Sequence, residues 1–107
     1  SIPSGKGLAT SGNYRKYTYD NQGNKVVHTI SPITGQSVVS NLLSATVVAD
    51  NATDADAYGT LFMVIGLDAS KEFLGAHPEL DAYLVYGNQD GGTEVYATSG
   101  MQSYILE

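Results

Sequence analysis

Leu43-Ser44-Ala45-Thr46-Val47-Val48-Ala49 and, after a short polar break, Thr53-Asp54-Ala55-Asp56-Ala57-Tyr58-Gly59-Thr60-Leu61-Phe62-Met63-Val64-Ile65-Gly66 decide how this chain folds. The first stretch reads as a strand, with apolar residues crowded toward its C-terminal end as in a well-buried central position. In the second, Thr53 with Asp56 three residues on has the pattern of a capping box, and helix formers run from Ala57 to Ile65 until Gly66 stops them. Leu61, Phe62, Met63, Val64 and Ile65 occupy all sides of that helix, which predicts burial of its C-terminal half on more than one side.

Toward the N-terminus, Gly7-Leu8-Ala9-Thr10-Ser11-Gly12 is a short apolar stretch closed by small residues, and Tyr14 to Tyr19 follows as a second strand. Asp20-Asn21-Gln22-Gly23-Asn24 is a turn cluster, and Lys25-Val26-Val27-His28 is its β-branched hairpin partner, with His28 at the strand end. Thr29 to Val38 holds Pro32 and Gly35 without a steady period and reads as an ordered surface loop.

Toward the C-terminus, Asp68 or Ala69 opens a second helix that ends before His77-Pro78, since proline disfavours helical geometry in the residue preceding it. Leu80 to Tyr86, a turn at Asn88-Gln89-Asp90-Gly91-Gly92 and Thr93 to Thr98 form a further hairpin, and a short helix from Ser99 or Gly100 to Leu106 closes the chain. The expected class is α+β, one domain over residues 1–107, an antiparallel sheet with two or three helices packed against it.

Composition narrows the function. The 107 residues are 42% hydrophobic and 15% charged, a globular balance, and the net charge of -6 argues against nucleic-acid binding by bulk electrostatics. With no cysteine, disulfide frameworks and thiolate metal sites are excluded. No apolar run is long enough for a membrane span, and the opening Ser1-Ile2-Pro3-Ser4 is unlike a signal peptide, so the sequence reads as a fragment of a longer chain.

On a helix, Asp56 and Thr60 project from one face about a turn apart, so a carboxylate and a hydroxyl could share a hard cation. Equally, Asp56 could complete a cap with Thr53 while Thr60 bonds back to the preceding turn. His28 could take a proton from an attacking hydroxyl, bind a phosphate, or merely position its loop. Thr10, Ser11 and Gly12 could form a small-residue turn that lets a ligand approach the backbone closely, or simply end a strand. His77 fits a helix C-cap, outside any site. The eight tyrosines read as half-buried sheet residues.

Three segments resemble the ApbE family of FAD:protein FMN transferases: Ala9-Thr10-Ser11-Gly12-Asn13-Tyr14, His28-Thr29-Ile30-Ser31-Pro32-Ile33-Thr34-Gly35, and Ala55-Asp56-Ala57-Tyr58-Gly59-Thr60. Ser44 to Ala49 and Thr98-Ser99-Gly100-Met101 extend the likeness over nearly the whole chain, as the C-terminal part of a family member. The resemblance implies Mg2+ held by Asp56 and Thr60, with FAD as substrate. It also implies a flavin site drawn from Thr10, Ser11, Gly12, His28, Pro32, Thr34 and Gly35, with His28 as the catalytic base or an orienting group. FMN would pass to a Ser or Thr of a flavin-accepting target protein. The N-terminal part of the same protein would supply most of the FAD contacts, and an N-terminal lipid anchor absent here would hold it at the periplasmic or envelope membrane. Ser31 and Ile33 depart from the family, which usually has an acid and a base there, and Gly59 replaces a more usual alanine. Those departures keep two other expectations open: a flavin-binding or FAD-hydrolysing module, and an isolated piece that is inactive.

Overall fold

The structure, a computed structural model, describes residues 6–31, 34–88 and 90–101. The elements follow in the order β1 (Gly7–Gly12), β2 (Thr18–Tyr19), β3 (Lys25–Ile30), β4 (Ser37–Ser40), β5 (Leu42–Ala49), α1 (Ala52–Ile65), α2 (Leu67–Ala76), β6 (Asp81–Gly87), β7 (Thr93–Ala97) and a 3-10 turn, Ser99–Met101. This is the α+β class expected, with the antiparallel strands divided between two sheets: β1-β5-β6-β7 and β2-β3-β4.

β5 is central in the larger sheet, and its crowded apolar residues serve both faces. Strand alternation places Ala45, Val47 and Ala49 on the side of Gly7, Ala9 and Ser11, their register partners in β1. That side carries the core: Ala45, Val47 and Ala49 pack with Ala82 and Leu84 of β6 and with Ala55, Phe62 and Met63 of α1. The other side carries Leu8, Thr10 and Gly12 opposite Val48, Thr46 and Ser44.

Three expectations about the elements need correction. Of the strand expected from Tyr14 to Tyr19, only Thr18–Tyr19 pairs, because Asn13 closes a turn in which it accepts the amides of Lys16 and, through its side chain, Arg15. The loop expected from Thr29 to Val38 is strand at its two ends, where β3 runs on to Ile30 and β4 begins at Ser37. β3 and β4 pair from Val27↔Ser40 to Ile30↔Ser37, and Gly35 lies in the connection between them. His28 is therefore inside β3, opposite Val39, and not at a strand end.

The third correction concerns α1, which begins at Ala52 with Asn51 as its cap; the Asn51 side chain accepts the Asp54 amide at 2.8 Å and its amide group donates to the Asp54 carboxylate at 3.2 Å. Asn51 and Asp54, two residues upstream of the pair expected, thus make the reciprocal cap. Thr53 and Asp56 take no part.

The C-terminal half of α1 is covered on more than one side, as expected, but not all round. Phe62 and Met63 are buried, Leu61 and Val64 half-buried, and Ile65 is 37% exposed, because the sheet covers one side and α2 reaches only part of another. Gly66 ends α1 and begins α2, with φ 87° and its amide bonded to Phe62 O. Buried Ser70 donates to the same carbonyl, locking the corner. His77 is the C-cap of α2, as expected. The closing helix is described only as the turn Ser99–Met101; the rest of the expected span lies outside the described residues.

Candidate functional site

α1 crosses β1 at the small residues. An ideal β-carbon at Gly59 would stand 2.6 Å from Ser11 Oγ and 3.3 Å from Ser11 Cβ, so helix and strand meet at a distance that Gly59 permits without rearrangement. The next contact along is Gly12, whose φ of 78° suits glycine and whose β-carbon would meet Leu43 O at 2.6 Å and Met63 Cε at 2.8 Å. Ser11 and Gly12 are therefore set against the turn of α1 that carries Asp56 and Thr60.

Asp56 is exposed and Thr60 half-buried, one turn apart on the same helix face. With the cap made by Asn51 and Asp54, the Asp56 carboxylate has no hydrogen bond or ion pair to another described side chain. Hard oxygen donors of this kind suit Mg2+, which takes one or two carboxylates from protein and fills its shell with phosphate oxygens and water. Among the described residues no group of three His, Asp or Glu side chains comes together, so the chain offers a short donor set and not a complete cage.

Thr10 is separated from its neighbour Ser11. As a strand residue and not part of a turn, it faces the opposite side of the sheet, where its hydroxyl meets that of Thr46 at 2.8 Å. It lines a cavity of about 400 Å³ with Gly12, Tyr14, Ser44 and Tyr83. The predicted set thus divides across the sheet, Gly12 lying at the junction.

His28 belongs to the smaller sheet. It is exposed and lines a cavity of about 440 Å³ with Lys16, Tyr17, Thr18, Val26 and Val27. Among the described residues no hydrogen bond joins it to Asp56 or Thr60. The Tyr17 phenol beside it is held below the ordinary tyrosine pKa, chiefly by a hydrogen bond from Tyr19 and next by the charge of Lys25, whose ammonium is 4.6 Å from the Tyr17 ring centre. Tyr19 moves upward in return.

The turn after β3 is organised by Ser31. Buried, it accepts the Thr34 amide through its hydroxyl at 3.4 Å and the Gly35 amide through its carbonyl at 2.8 Å, while its own amide donates to Gln36 O at 2.9 Å. The Thr34 hydroxyl accepts the Gln36 amide, and Gly35 has φ 72°. Ser31 thus closes this turn with hydroxyl, carbonyl and amide alike. Pro32 and Ile33 lie outside the described residues.

Lys16 and Tyr17, which share the His28 cavity, escaped the motif reading. The signal that could have found them was charge: Arg15, Lys16 and Lys25 gather in an otherwise acidic chain.

Comparison with known proteins defines the class first by fold. The flavinyl transferase ApbE of Pseudomonas stutzeri, in its apo form, superposes with a TM-score of 0.74 at 27% identity over 92% of this chain and 30% of that one. The flavin transferase ApbE of Vibrio cholerae gives 0.71 at 26% identity, over 92% and 29%. In sequence, the FAD:protein FMN transferase of Escherichia coli K12 is 46% identical over 68 residues, 64% of this chain, and that of Klebsiella pneumoniae 36% identical over 87 residues, 81% of it. The ApbE family model matches residues 1–84. The chain belongs to the ApbE family. It spans 19% of the length of the Escherichia coli relative and 24% of the Klebsiella one.

Proposed function

We propose that this chain supplies the metal-holding helix and part of the flavin site of an FAD:protein FMN transferase that acts with Mg2+ on a Ser or Thr hydroxyl of a target protein. The observation that carries it is the liberated Asp56: its capping duty is discharged by Asn51 and Asp54, and it shares a helix face with Thr60 beside the close Ser11–Gly59 crossing. Asp56 and Thr60 would hold the cation. When bound, Mg2+ would neutralise charge on the pyrophosphate of FAD. Ser11 and Gly12 would serve that site by letting α1 lie close against β1.

In the reaction, the acceptor hydroxyl oxygen forms a bond to the FMN-side phosphorus while the bond from that phosphorus to the bridging oxygen breaks, and AMP leaves with the bonding pair. The acceptor proton passes to His28 or is oriented by it. Little covalent work is asked of the protein, so positioning supplies most of the rate. The same reading carries an envelope location, with the lipid anchor in another part of the protein.

The test is mass spectrometry of a threonine-containing acceptor peptide incubated with the full-length protein, FAD and Mg2+. An FMN-sized mass gain that requires the metal and is lost in Asp56→Ala is the expected result. Release of FMN and AMP without any modified peptide would replace transfer by FAD hydrolysis, and intact FAD would leave a binding module.

A further inference from the structure

The charge of this chain is unevenly placed. Residues 13–28 hold Arg15, Lys16 and Lys25 against Asp20 alone, whereas the rest of the chain sets Lys6 and Lys71 against the other ten acids. The asymmetry has a location in space. Lys16 lines the cavity of about 440 Å³ that also holds His28 and Tyr17, and Lys25 stands over the Tyr17 ring. The turn closed by Asn13 presents Arg15 and Lys16 together. Among the described residues none of these three cations is ion-paired. Lys6, by contrast, is paired with Asp50 at 3.3 Å.

We infer that this basic patch, with Lys16 lining the His28 cavity, Lys25 over the Tyr17 ring and Arg15 beside Lys16 in the chain, is the docking surface for an acidic segment of the acceptor protein, placed next to the hydroxyl-bearing residue. The inference rests on the transferase reading above and adds how the acceptor is recognised. Charge complementarity argues for the occupant: a patch of three unpaired cations on an acidic protein attracts carboxylates locally while the rest of the surface repels them, which fixes register as well as rate. An anionic membrane is a poorer match, because lipid-binding clusters typically hold about four to eight basic residues and this patch sits on an acidic chain. The pyrophosphate of FAD is accounted for at α1, on a different element. Val26 and Val27 give the cavity apolar walls for the body of a peptide.

The experiment uses the full-length protein with two fluorescein-labelled peptides, one carrying threonine flanked by three aspartates and a twin with asparagines in their place. Binding is read by anisotropy, and FMN transfer by the KM for peptide and for FAD. Lys16→Gln should raise the KM and the dissociation constant of the acidic peptide about two- to five-fold, the range of a rim ion pair, leaving the twin and the KM for FAD unchanged. Lys16→Glu should weaken the acidic peptide further and leave the asparagine twin the tighter binder. Equal effects on both peptides, or none, would overturn the proposal, as would a rise in the KM for FAD or a selective loss of binding to phosphatidylglycerol vesicles. If the wild type binds the acidic peptide through Lys16 yet transfers no FMN to either, docking stands and the transferase reading falls. Transfer to both peptides without dependence on Lys16 would leave the transferase reading standing and remove the docking patch.

Discussion

Ser11 and Gly59 share one space: the β-carbon of any residue at 59 would come within 2.6 Å of the Ser11 hydroxyl oxygen. The helix nevertheless loses about 1 kcal/mol of intrinsic propensity by having glycine there. Gly59→Ala should regain that propensity and lose much of it again in turning the Ser11 hydroxyl and easing its β-carbon, so its net effect should stay within about 1 kcal/mol. In a Ser11→Ala background the obstructing oxygen is gone, and the same change should stabilise by about 0.5 to 1 kcal/mol. A double-mutant cycle by urea unfolding reads the difference, and strict additivity would mean that the two residues do not meet.

The cap and the cation pair should separate by mutation. Asn51→Ala should cost about 0.5–2 kcal/mol of stability, while Thr53→Ala and Asp56→Ala, measured without metal, should stay within about 0.5 kcal/mol of the parent. Denaturant midpoints of the three variants check this. A large loss from Asp56→Ala would put that carboxylate back in the helix start.

Phe62 is fully buried and forms a three-ring cluster with Tyr58 and Phe73, whose centroids are 6.5 and 5.6 Å from it and 5.8 Å from each other. Phe62→Ala should cost about 3–5 kcal/mol, enough to threaten the folding of a small domain. Phe62→Leu, which keeps much of the volume, should lose markedly less. Thermal unfolding of the two variants gives the comparison.

Acid should loosen the turn before β3. The Asp20 carboxylate accepts the amides of Asn24 and Gln22, both at 2.9 Å, and the first of these is the main reason its pKa is lowered. A carboxylate with a folded pKa below its unfolded value stabilises the fold above the unfolded value, about 3.9, and that contribution is lost as pH falls through the folded one. Asp20→Asn should therefore flatten the acid limb of a stability curve measured from pH 7 to pH 3, with its largest effect at the neutral end. A parallel downward displacement at every pH would show that the charge is not the cause.

Much of the fold could be read from residues whose neighbours in sequence are also their neighbours in space. Ala57 to Ile65 is helical by its own composition, and Leu43 to Ala49 is a central strand by its own. Asn51-x-x-Asp54 and Thr53-x-x-Asp56 both satisfy the capping pattern, however, and only the point where the chain leaves β5 chooses between them. The β3–β4 pairing was hidden because Pro32 and Gly35 dominate a window that also contains short strand ends. Among the candidate site residues, the shared helix face of Asp56 and Thr60 was legible from helical spacing. The division of Thr10 from Ser11 was not, since it follows from which face of β1 receives α1. His28 was visible as a residue, but its companions Lys16 and Tyr17 come to it through the β2–β3 pairing.

The corner at Gly66 sets the tempo of the molecule. α1 is fastened at its start by Asn51 and at its end by the Phe62 carbonyl, which accepts from both Gly66 and Ser70. The middle of a helix fastened at both ends over a buried core should exchange its amide hydrogens close to the rate of global opening, whereas a two-residue strand such as β2 should fray on its own. Asp56 and Thr60 thus belong to the firmly held part of the fold and Tyr17 to the loosely held part, so in the proposed reaction a substrate would meet a fixed anchor on the helix and a yielding wall beside β2.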